Sequence, residues 1–312
     1  MSFEPTASER AVRKDEHLDL AVRLHGQERP NAFDDVSFMH HALPGTATGL
    51  ADTGTTVCGV RWEVPFYINA MTGGTQATAQ VNAGLARAAA EAGVAIACGS
   101  QHIALREPER ADGFQVIRRE APDAFVLANV GPTVTGEQAL RAVEMLQADA
   151  LQVHLNVAQE LIMPEGDRDF RDWAGRIAAI ADAVPVPVVA KEVGFGLSRR
   201  TIATLTQAGV DAVDVAGAGG TDFIAIENER RPHRDYSYLT GWGQSAVLCL
   251  LESLSGDDPV TLPVLASGGV RSPLDVVRAL ALGASAVGVS GHFLRTLVSG
   301  GADALNRELH AW

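Results

Sequence analysis

The sequence predicts an α/β protein, a (β/α)8 TIM barrel that follows an N-terminal extension. From Pro65 onward, short apolar segments of strand character alternate with segments of helical period. Eight such strands, joined by right-handed crossovers over about 250 residues, match the usual size of this barrel. Polar side chains gather where several of the strands end, and a barrel of parallel strands carries its chemistry at that end.

The eight candidate strands are short and mostly apolar on both faces, as the strands of a buried parallel sheet are. They are Phe66–Ala70, Val94–Cys98, Phe125–Val130, Ala150–Leu155, Val186–Ala190, Ala212–Val215, Val264–Ser267 and Ala286–Val289. A doubly wound sheet is the alternative. It is weakened because no GxGxxG turn follows the first strand, as one does in dinucleotide-binding sheets of that kind.

Helical segments lie between most of these strands and have recognisable ends. Three are followed directly by a glycine, which accepts the left-handed conformation common after a helix, namely Thr75–Ala92, Ser198–Ala208 and Pro273–Leu282. The last of these also has Ser272 as its N-cap and Pro273 at its first position. A final helix is predicted over Ala302–Trp312.

Two regions fall outside the alternation of strands and helices. Residues 1–64, with a predicted helix at Ser8–Leu24, are expected to cap the active site of a barrel formed by residues 65–312, so that the chain is a single domain. The segment Gly217–Gly243 follows the sixth strand and is rich in charge. Long loops on that face of a barrel are usually lids or partner surfaces.

The composition excludes several classes of protein. The net charge of −13 argues against nucleic acid and anionic membranes as partners. No apolar run reaches the roughly 18 residues of a membrane helix, and the polar N-terminus does not read as a secretory signal. Cys58, Cys98 and Cys249 show neither disulfide nor metal spacing. We therefore expect a cytoplasmic protein with no membrane and no nucleic-acid partner.

Four polar side chains crowd the exit of the fourth strand, namely His154, Asn156, Gln159 and Glu160. Polar groups at a buried position are costly unless they are hydrogen-bonded or used. This stretch is therefore the first candidate for an active site. A polar loop lying over a core strand is the alternative interpretation.

Glycine-rich turns follow the sixth, seventh and eighth strands, at Gly217–Thr221, Ser267–Arg271 and Val287–Gly291. Paired turns after strands seven and eight are the usual phosphate site of this barrel. Glycine lets backbone N–H groups approach an anion, and a helix N-terminus adds its positive end. The turns predict a site for a ribityl or sugar phosphate, with plain tight turns as the alternative.

Groups that suit a flat heterocycle follow four other strands, at Met71–Gly74, Ser100–Gln101, Asn129 and Lys191. A flavin fits such a ring of donors and acceptors. Only two of the 25 basic residues are lysines, Lys14 and Lys191, which indicates that a compact ammonium is needed there, unless chance explains it. Lys191 near the flavin N1–C2 edge would stabilise a reduced flavin; a structural ion pair is the alternative.

With these motifs assembled, the chain closely resembles the type 2, FMN-dependent isopentenyl-diphosphate isomerases, from about Arg13 to the start of the final helix. The matching segments stand in order and include RKDEH at Arg13–His17, FMHHALP at Phe38–Pro44, NAMTGG at Asn69–Gly74, GSQ at Gly99–Gln101, HLNVAQE at His154–Glu160, MPEGDRDF at Met163–Phe170, KEVGFG at Lys191–Gly196, GAGGTDF, IENERR and Trp242–Gln244. So many ordered pieces are specific for the family.

The resemblance implies a barrel that interconverts isopentenyl and dimethylallyl diphosphate without net redox change. It implies reduced FMN, Mg²⁺ and NADPH as a reductant, with a small-molecule diphosphate as substrate. We expect a homo-oligomer, either a tetramer or an octamer. The last helix looks short for the family, which would affect stability or assembly more than chemistry.

The resemblance also assigns roles to individual residues. Catalytic roles fall to Gln159, Lys191 and His154, and the Mg²⁺ ligand is Glu160. Substrate contacts are implied for Arg13, Lys14, His17, Ser100, Gln101, His102, His154, Asn156 and Gln159. FMN contacts are implied for Met71, Thr72, Gly73, Ser100, Asn129, Lys191, Thr221, Gly268, Gly269, Arg271, Ser290 and Gly291. We expect Gln159 first to position and second to relay a proton, because an amide is a poor acid; flavin N5 is the other candidate carrier.

Three other functions stay open at this point. An FMN-dependent 2-hydroxy-acid oxidase shares the barrel and the SGGVR turn, but it needs a His-Arg pair after the sixth strand, where this chain has AGAGGTDF. A nucleotide-oxidising barrel needs a catalytic cysteine in that loop, and none of the three cysteines is there. A flavin-binding protein without catalysis would not need Gln159 and Glu160. Ala216 stands where relatives often have a serine near the flavin.

Overall fold

The predicted barrel is confirmed. The structure is a computed structural model that describes Lys14, Glu16, Asp19, Leu20, Arg23 and residues 31–71, 73–255 and 260–312. Its barrel strands are β3 (Phe66–Ile68), β4 (Ala95–Ala97), β5 (Val126–Val130), β6 (Ala150–Leu155), β7 (Val188–Glu192), β8 (Ala212–Asp214), β9 (Val264–Ser267) and β10 (Ala286–Val289). These strands are parallel and follow one another in chain order, and β10 closes the barrel by pairing with β3.

A short antiparallel hairpin precedes the barrel, with strands β1 (Thr55–Val57) and β2 (Val60–Trp62). The Trp62 ring of β2 makes edge contacts with Tyr67 and Phe125, at centroid distances of 5.5 and 5.3 Å. The hairpin therefore closes the end of the barrel where its strands begin, opposite to the end where chemistry is expected.

Helices connect the strands on the outside. They are α1 (Gln76–Ala92), α2 (His102–Arg106), α3 (Asp112–Glu120), α4 (Gly136–Leu146), α5 (Val157–Ile162), α6 (Trp173–Ala183), α7 (Arg199–Gln207), α8 (Phe223–Glu229), α9 (Ala246–Leu254), α10 (Pro273–Ala281) and α11 (Gly291–Ala311). Short 3-10 turns lie at Ala32–Asp35, Thr48–Leu50, Pro108–Arg110 and Ser237–Leu239. Within the described part of the chain, no helix is long and apolar enough to cross a membrane.

The helix ends follow the local sequence. Thr75 caps α1 with its side chain and forms a reciprocal pair with Thr78, while Gly93 ends that helix with a φ of 68°. Ser272 caps α10, and Pro273 occupies its first turn. The helices predicted after the first, fifth and seventh barrel strands are therefore found within a residue or two of the expected positions.

Two elements differ from the prediction for physical reasons. The fifth barrel strand runs over Val188–Glu192 rather than Val186–Ala190, because Pro187 has no N–H to give to a ladder. Lys191 is thus a strand residue, paired with His154 of β6. The final helix begins at Gly291 rather than Ala302, with a kink at Gly301 where φ is 77°. The predicted segment is its second half.

The hydrophobic core has two main layers, beside a small separate cluster of Ile162, Phe195 and Ile224. The larger one lies between the strands and the surrounding helices, with β-branched and aromatic side chains on both sides. The smaller one fills the barrel interior near the hairpin, and its side chains are mostly small, such as Ala95, Ala150 and Ala212. Above this inner layer, towards the carboxyl ends of the strands, the interior becomes polar.

Candidate active site

A cleft of about 1490 Å³ opens at the carboxyl ends of the barrel strands. Most of the residues predicted from the sequence line it, and all of them except Lys14 come from the eight barrel strands or the turns that follow them. They are Lys14, Met71, Ser100, His102, Asn129, His154, Asn156, Gln159, Glu160, Lys191, Thr221, Gly268, Gly269, Ser290 and Gly291. Residues far apart in the sequence thus share one cavity, as the barrel topology requires.

The other six predicted residues fall into two groups. Arg13, His17 and Thr72 lie outside the described residues. Gln101, Gly73 and Arg271 are described, but they do not line the cleft.

Gln101 was expected on the substrate side, but its side chain is fully buried behind the cleft wall. Its Nε2 donates to the Ala142 carbonyl at 2.9 Å, and its Oε1 accepts from the Asn129 backbone N–H at 2.9 Å. The amide therefore holds the end of β5 in place. Sequence alone could not place it, because the period of two that sorts strand side chains between faces does not extend into the turn.

Gly73 and Arg271 have structural contacts instead. A Cβ at Gly73 would lie 2.1 Å from the Phe114 ring, so glycine allows this turn to pack on α3. The Arg271 guanidinium bonds to Asp34 and Asp275, on the outer side of the turn. This pairing raises the pKa of Arg271 and lowers that of Asp34. Only the backbone of Arg271 remains in the glycine-rich turn.

His154 lies on β6 with part of its ring open to the cleft. Its Nδ1 is 2.8 Å from Asn129 Oδ1 on the neighbouring strand. Burial first, and then the nearby cations Lys14 and Lys191, lower the pKa of His154 to about 3. The imidazole is therefore neutral in the free protein at physiological pH.

Lys191 is buried at the end of β7, and its Nζ donates to the Glu192 carbonyl at 2.8 Å. The Glu192 carboxylate accepts from the backbone N–H groups of Val193, Gly194 and Phe195. Burial raises the pKa of Glu192 to about 7, although these three donors act in the opposite direction. Glu192 therefore shapes the turn that follows Lys191, and the ammonium is not held in a side-chain ion pair with it.

Gln159 is held by Glu227, which is in turn held by Arg230, and the sequence singled out neither of these two residues. Its Nε2 donates to Glu227 Oε1 at 2.8 Å, and the other oxygen of Glu227 accepts from Arg230 Nη1 at 2.5 Å. Glu227 is fully buried. Although burial works against it, the charge of Glu227, followed by that of Glu165, raises the pKa of Arg230. The only sequence signal was the charged IENERR run within the segment Gly217–Gly243.

Glu160 is oriented by the chain around it. Its Oε1 accepts from Asn156 Nδ2 and its Oε2 from the Asp167 backbone N–H, both at 2.7 Å. The described residues contain no cluster of three or more histidine, cysteine or acidic groups that could hold a metal alone. A single fixed carboxylate at the cleft still suits Mg²⁺, which usually keeps several waters and takes substrate phosphate oxygens as ligands.

The glycine-rich turns after β8, β9 and β10 meet on one side of the cleft. A Cβ at Gly268 would lie 1.9 Å from the Gly217 carbonyl oxygen, and one at Gly220 would lie 2.9 Å from the Gly269 nitrogen. Only glycine permits this approach, and Gly268 and Gly269 also have φ values of 93° and 78°. The N-terminus of α11 begins beside them at Gly291. Backbone lines this wall, and it fits a phosphate.

An N-terminal residue supports that wall from outside the barrel. Asn31 is buried, and its side-chain amide donates to the Gly269 carbonyl. The same side chain accepts from the Phe33 N–H at 3.0 Å. Across the cleft from this wall lie an ammonium, amides and a hydroxyl. Together with a backbone wall that fits a phosphate, these are the groups that a binding site for FMN requires.

The chain matches the family model described as FMN-dependent dehydrogenase over residues 23–107 and 101–312. The isopentenyl-diphosphate delta-isomerase of Streptomyces sp. (strain CL190) is 54% identical over 303 residues, which are 97% of this chain and 82% of that protein. The protein of the same name from Latilactobacillus sakei is 48% identical over 308 residues, or 99% of this chain and 87% of that protein.

Solved structures share the fold at much lower identity. A soluble mutant of the membrane-associated (S)-mandelate dehydrogenase from Pseudomonas putida has a TM-score of 0.62 at 18% identity, covering 95% of this chain and 83% of that one. A structure described as lactate oxidase from Pediococcus acidilactici has a TM-score of 0.67 at 17% identity, covering 95% and 81%. At these identities the similarity shows the fold alone.

Proposed function

The chain belongs to the FMN-dependent dehydrogenase family and, within it, to the isopentenyl-diphosphate delta-isomerases, and we propose that it interconverts isopentenyl and dimethylallyl diphosphate over reduced FMN. The net chemistry adds a proton at C4 of the isopentenyl group and removes one from C2. The product pair supplies precursors for isoprenoid biosynthesis. Relatives that carry the isomerase name are 44–54% identical over more than nine tenths of this chain, which supports the assignment.

One observation carries the proposal: the Gln159 amide is fixed by Glu227 in the same cleft as the glycine turns and Lys191. An alkene offers no polar group by which it can be held. A protein that moves its protons must therefore hold the diphosphate firmly and keep a stiff polar group beside the reacting carbons. Glu227 provides that stiffness, and we assign Gln159 the positioning of the transferred proton.

The FMN residues are proposed from the same cleft. The turns at Gly268–Gly269 and Ser290–Gly291 would take the phosphate, and Met71, Ser100, Asn129 and Thr221 would line the ring system. When bound and reduced, FMN would supply electron density beside the allylic carbons. Lys191 would face the ring with an ammonium that donates to the Glu192 carbonyl. Thr72 lies outside the described residues, and its contact with FMN stays a prediction.

Glu160 is proposed as the protein ligand of Mg²⁺, with waters and the substrate diphosphate completing the coordination. Lys14 lines the cleft and would contact the diphosphate, as would Arg13 and His17 in the undescribed part of the segment. His102 and Asn156 complete the substrate side. NADPH is proposed as the reductant that prepares the flavin.

The N-terminal residues are proposed to cap the site. Glu16 Oε2 is 3.0 Å from Arg230 Nε, and Arg23 Nη2 is 3.6 Å from Glu229 Oε2, so described parts of this segment lie against α8. Arg230 is the residue that also holds Glu227. The N-terminal residues, α8 and the Gln159 amide are thus joined through the guanidinium of Arg230.

A homo-oligomer, a tetramer or an octamer, is also proposed. Leu248, Leu251 and Leu254 on α9 and Leu274 and Val277 on α10 are each about half exposed. Large apolar side chains grouped on adjacent surface helices are typical of interaction surfaces. Light scattering at several protein concentrations would measure the assembly, and a monomer at all of them would contradict the proposal.

The activity assay is direct. The purified protein with FMN, Mg²⁺ and dithionite should convert isopentenyl diphosphate into dimethylallyl diphosphate, and omission of any one component should lower the rate. Parallel reactions with lactate and glycolate test the 2-hydroxy-acid oxidase alternative. Oxidation of either acid without isomerisation would contradict the proposal, and a flavin spectrum with neither reaction would favour a binding protein.

A further inference from the structure

We propose that a buried chain of amides anchored at Asp214 fixes the tautomer of His154, with the proton on Nδ1 and with Nε2 as an acceptor. The chain runs through Asn69, Gln152 and Asn129 in the middle of the barrel. In this chain of hydrogen bonds, Asp214 and the three amides are positioning residues for the imidazole. The inference concerns the location of one proton, and it holds whichever reaction the cleft performs.

Asp214 is the anchor because a carboxylate only accepts hydrogen bonds. It is 0% exposed and receives four donors: the Tyr67 hydroxyl at 2.9 Å, Asn69 Nδ2 at 2.9 Å, the Ser267 hydroxyl at 2.7 Å and the Ala216 N–H at 3.0 Å. Asn69 must therefore turn its NH₂ group towards Asp214 and its oxygen away.

A second, independent contact gives the same orientation of Asn69. The Ala70 backbone N–H lies 2.7 Å from Asn69 Oδ1, and a backbone N–H can only donate. The oxygen of Asn69 is thereby set as an acceptor. Gln152 meets it with Nε2 at 3.3 Å, which leaves Gln152 Oε1 to accept from Asn129 Nδ2 at 3.1 Å.

The last link reaches the imidazole. With its NH₂ group used on Gln152, Asn129 presents Oδ1 to His154 Nδ1 at 2.8 Å. Two bare acceptors at that distance would repel each other, so Nδ1 must carry the proton. The neutral ring, whose pKa is about 3, has only one proton to place, and Nε2 is left without one.

The barrel gives up packing volume to hold this chain. Gly288 lies in β10, where a side chain would ordinarily fill the interior. A Cβ there would lie 2.5 Å from Asn69 Nδ2 and 2.8 Å from Tyr67 Cζ. The glycine in this strand is therefore explained by the amide chain, and a glycine inside a strand often marks such a close approach.

The position of this proton decides which groups His154 can bind. An unprotonated Nε2 accepts from a donor such as a water molecule or an ammonium. A phosphate oxygen can bind it only together with a proton. His154 can therefore meet a phosphate oxygen through Nε2 only where that oxygen carries the proton.

Neutron diffraction from crystals of the full chain, with any flavin it retains, locates the proton directly. We expect deuterium on His154 Nδ1 and none on Nε2, with the amide orientations given above. The Val130 carbonyl also interacts with the ring, and an Nε2–H directed towards it is the competing arrangement. Deuterium on Nε2 with Nδ1 bare would overturn the proposal.

Variants test the amide chain by measuring the tautomer of His154, which a loss of stability alone does not change. In protein labelled with ¹⁵N in histidine, Gln152→Met removes the middle link while keeping side-chain length, and His154→Gln identifies the signal. The ratio of Nδ1–H to Nε2–H forms should fall about fivefold or more, as loss of one neutral hydrogen bond allows. Asn82→Leu is the matched control, because it removes a buried amide bonded to the Gly113 carbonyl. An unchanged ratio of the two tautomers in Gln152→Met would overturn the proposal that the amide chain fixes the tautomer.

Discussion

The two halves of the barrel interior differ in what their side chains do. Near the hairpin the interior is apolar and closed by Trp62, with small side chains such as Ala95 and Ala150 beneath it. Towards the carboxyl ends the interior is polar, and every described amide of the Asp214 chain has a hydrogen-bond partner. The first half excludes water and stabilises the fold; the second positions groups in the cleft.

Along each of five strands, the inward-facing side chains change from apolar to polar within two residues. On five strands, the inward position in the apolar half and the next inward position in the polar half are Leu127 and Asn129, Ala150 and Gln152, Val189 and Lys191, Ala212 and Asp214, and Leu265 and Ser267. One two-residue repeat of the strand thus separates the side chains that pack in the apolar half from those that lie in the polar half. Substitutions on the two sides should therefore have different signatures.

The largest expected effect is on stability, at the hairpin end. Trp62→Ala removes a buried ring that packs on Tyr67 and Phe125, and such truncations cost about 3–5 kcal/mol in free energy of unfolding. Isomerisation per folded molecule should stay the same, because the cleft is at the other end. Denaturant unfolding followed by fluorescence and an activity assay on the folded fraction would measure both.

Trp242→Ala provides the control for that experiment, because Trp242 is 60% exposed. Its effect on unfolding should be small. A Trp62→Ala variant with native stability, or with a selective loss of activity, would remove the distinction between the halves.

At the cleft end the expected effect is on rate. Gln159→Asn keeps the amide but withdraws it by one methylene, and misplacement of about 1 Å can cost roughly 100-fold in rate. We expect kcat to fall on that scale with little change in KM or in melting temperature, because the diphosphate contacts are elsewhere. Steady-state kinetics under reducing, anaerobic conditions would measure this.

The same substitution at Gln147 is the matched control. Gln147 is exposed and has a φ of 46°, a conformation that asparagine tolerates well. Gln147→Asn should leave both kcat and stability unchanged. If Gln159→Asn raised KM and spared kcat, Gln159 would be a binding residue and not the positioning group for the proton.

The smallest expected effect joins the two halves, because His154 is half-buried in the polar half and also lines the cleft. Its pKa is lowered from 6.5 to about 3, so the unfolded chain binds a proton below pH 6.5 that the folded protein does not bind. This contribution to stability is present above pH 6.5 and is lost as the pH falls. Between pH 6 and pH 5 the native protein should lose about 1 kcal/mol more than His154→Gln does. Parallel slopes for the two proteins would contradict the lowered pKa.

The fold could be predicted largely because the barrel strands are apolar runs with clear ends. Ala150–Leu155, Val264–Ser267 and Ala286–Val289 were each predicted with their observed bounds. The fifth strand begins two residues later than predicted, because apolar character continues across Pro187 although that residue has no N–H to give to a ladder. The first half of α11 was missed because glycines at its start and kink resemble turns.

The site was predictable where it depends on strand ends and glycine turns, and not where it depends on contacts between distant segments. Gln159 stood out because it follows a strand, but its partner Glu227 lies 68 residues further along the chain. Gln101 resembled a site residue, yet its orientation is set by Ala142 on α4. No local pattern indicates which polar side chains of adjacent strands will bond to one another inside the barrel.

The central claim is that the cleft moves protons and consumes no electrons, and it is tested by counting product against reducing equivalents. The protein with FMN and Mg²⁺ is reduced once under anaerobic conditions and then given isopentenyl diphosphate. We expect many product molecules for each electron pair, with no further NADPH oxidised as product accumulates. Oxidation of one NADPH for each product molecule would contradict the claim and would make the protein an oxidoreductase.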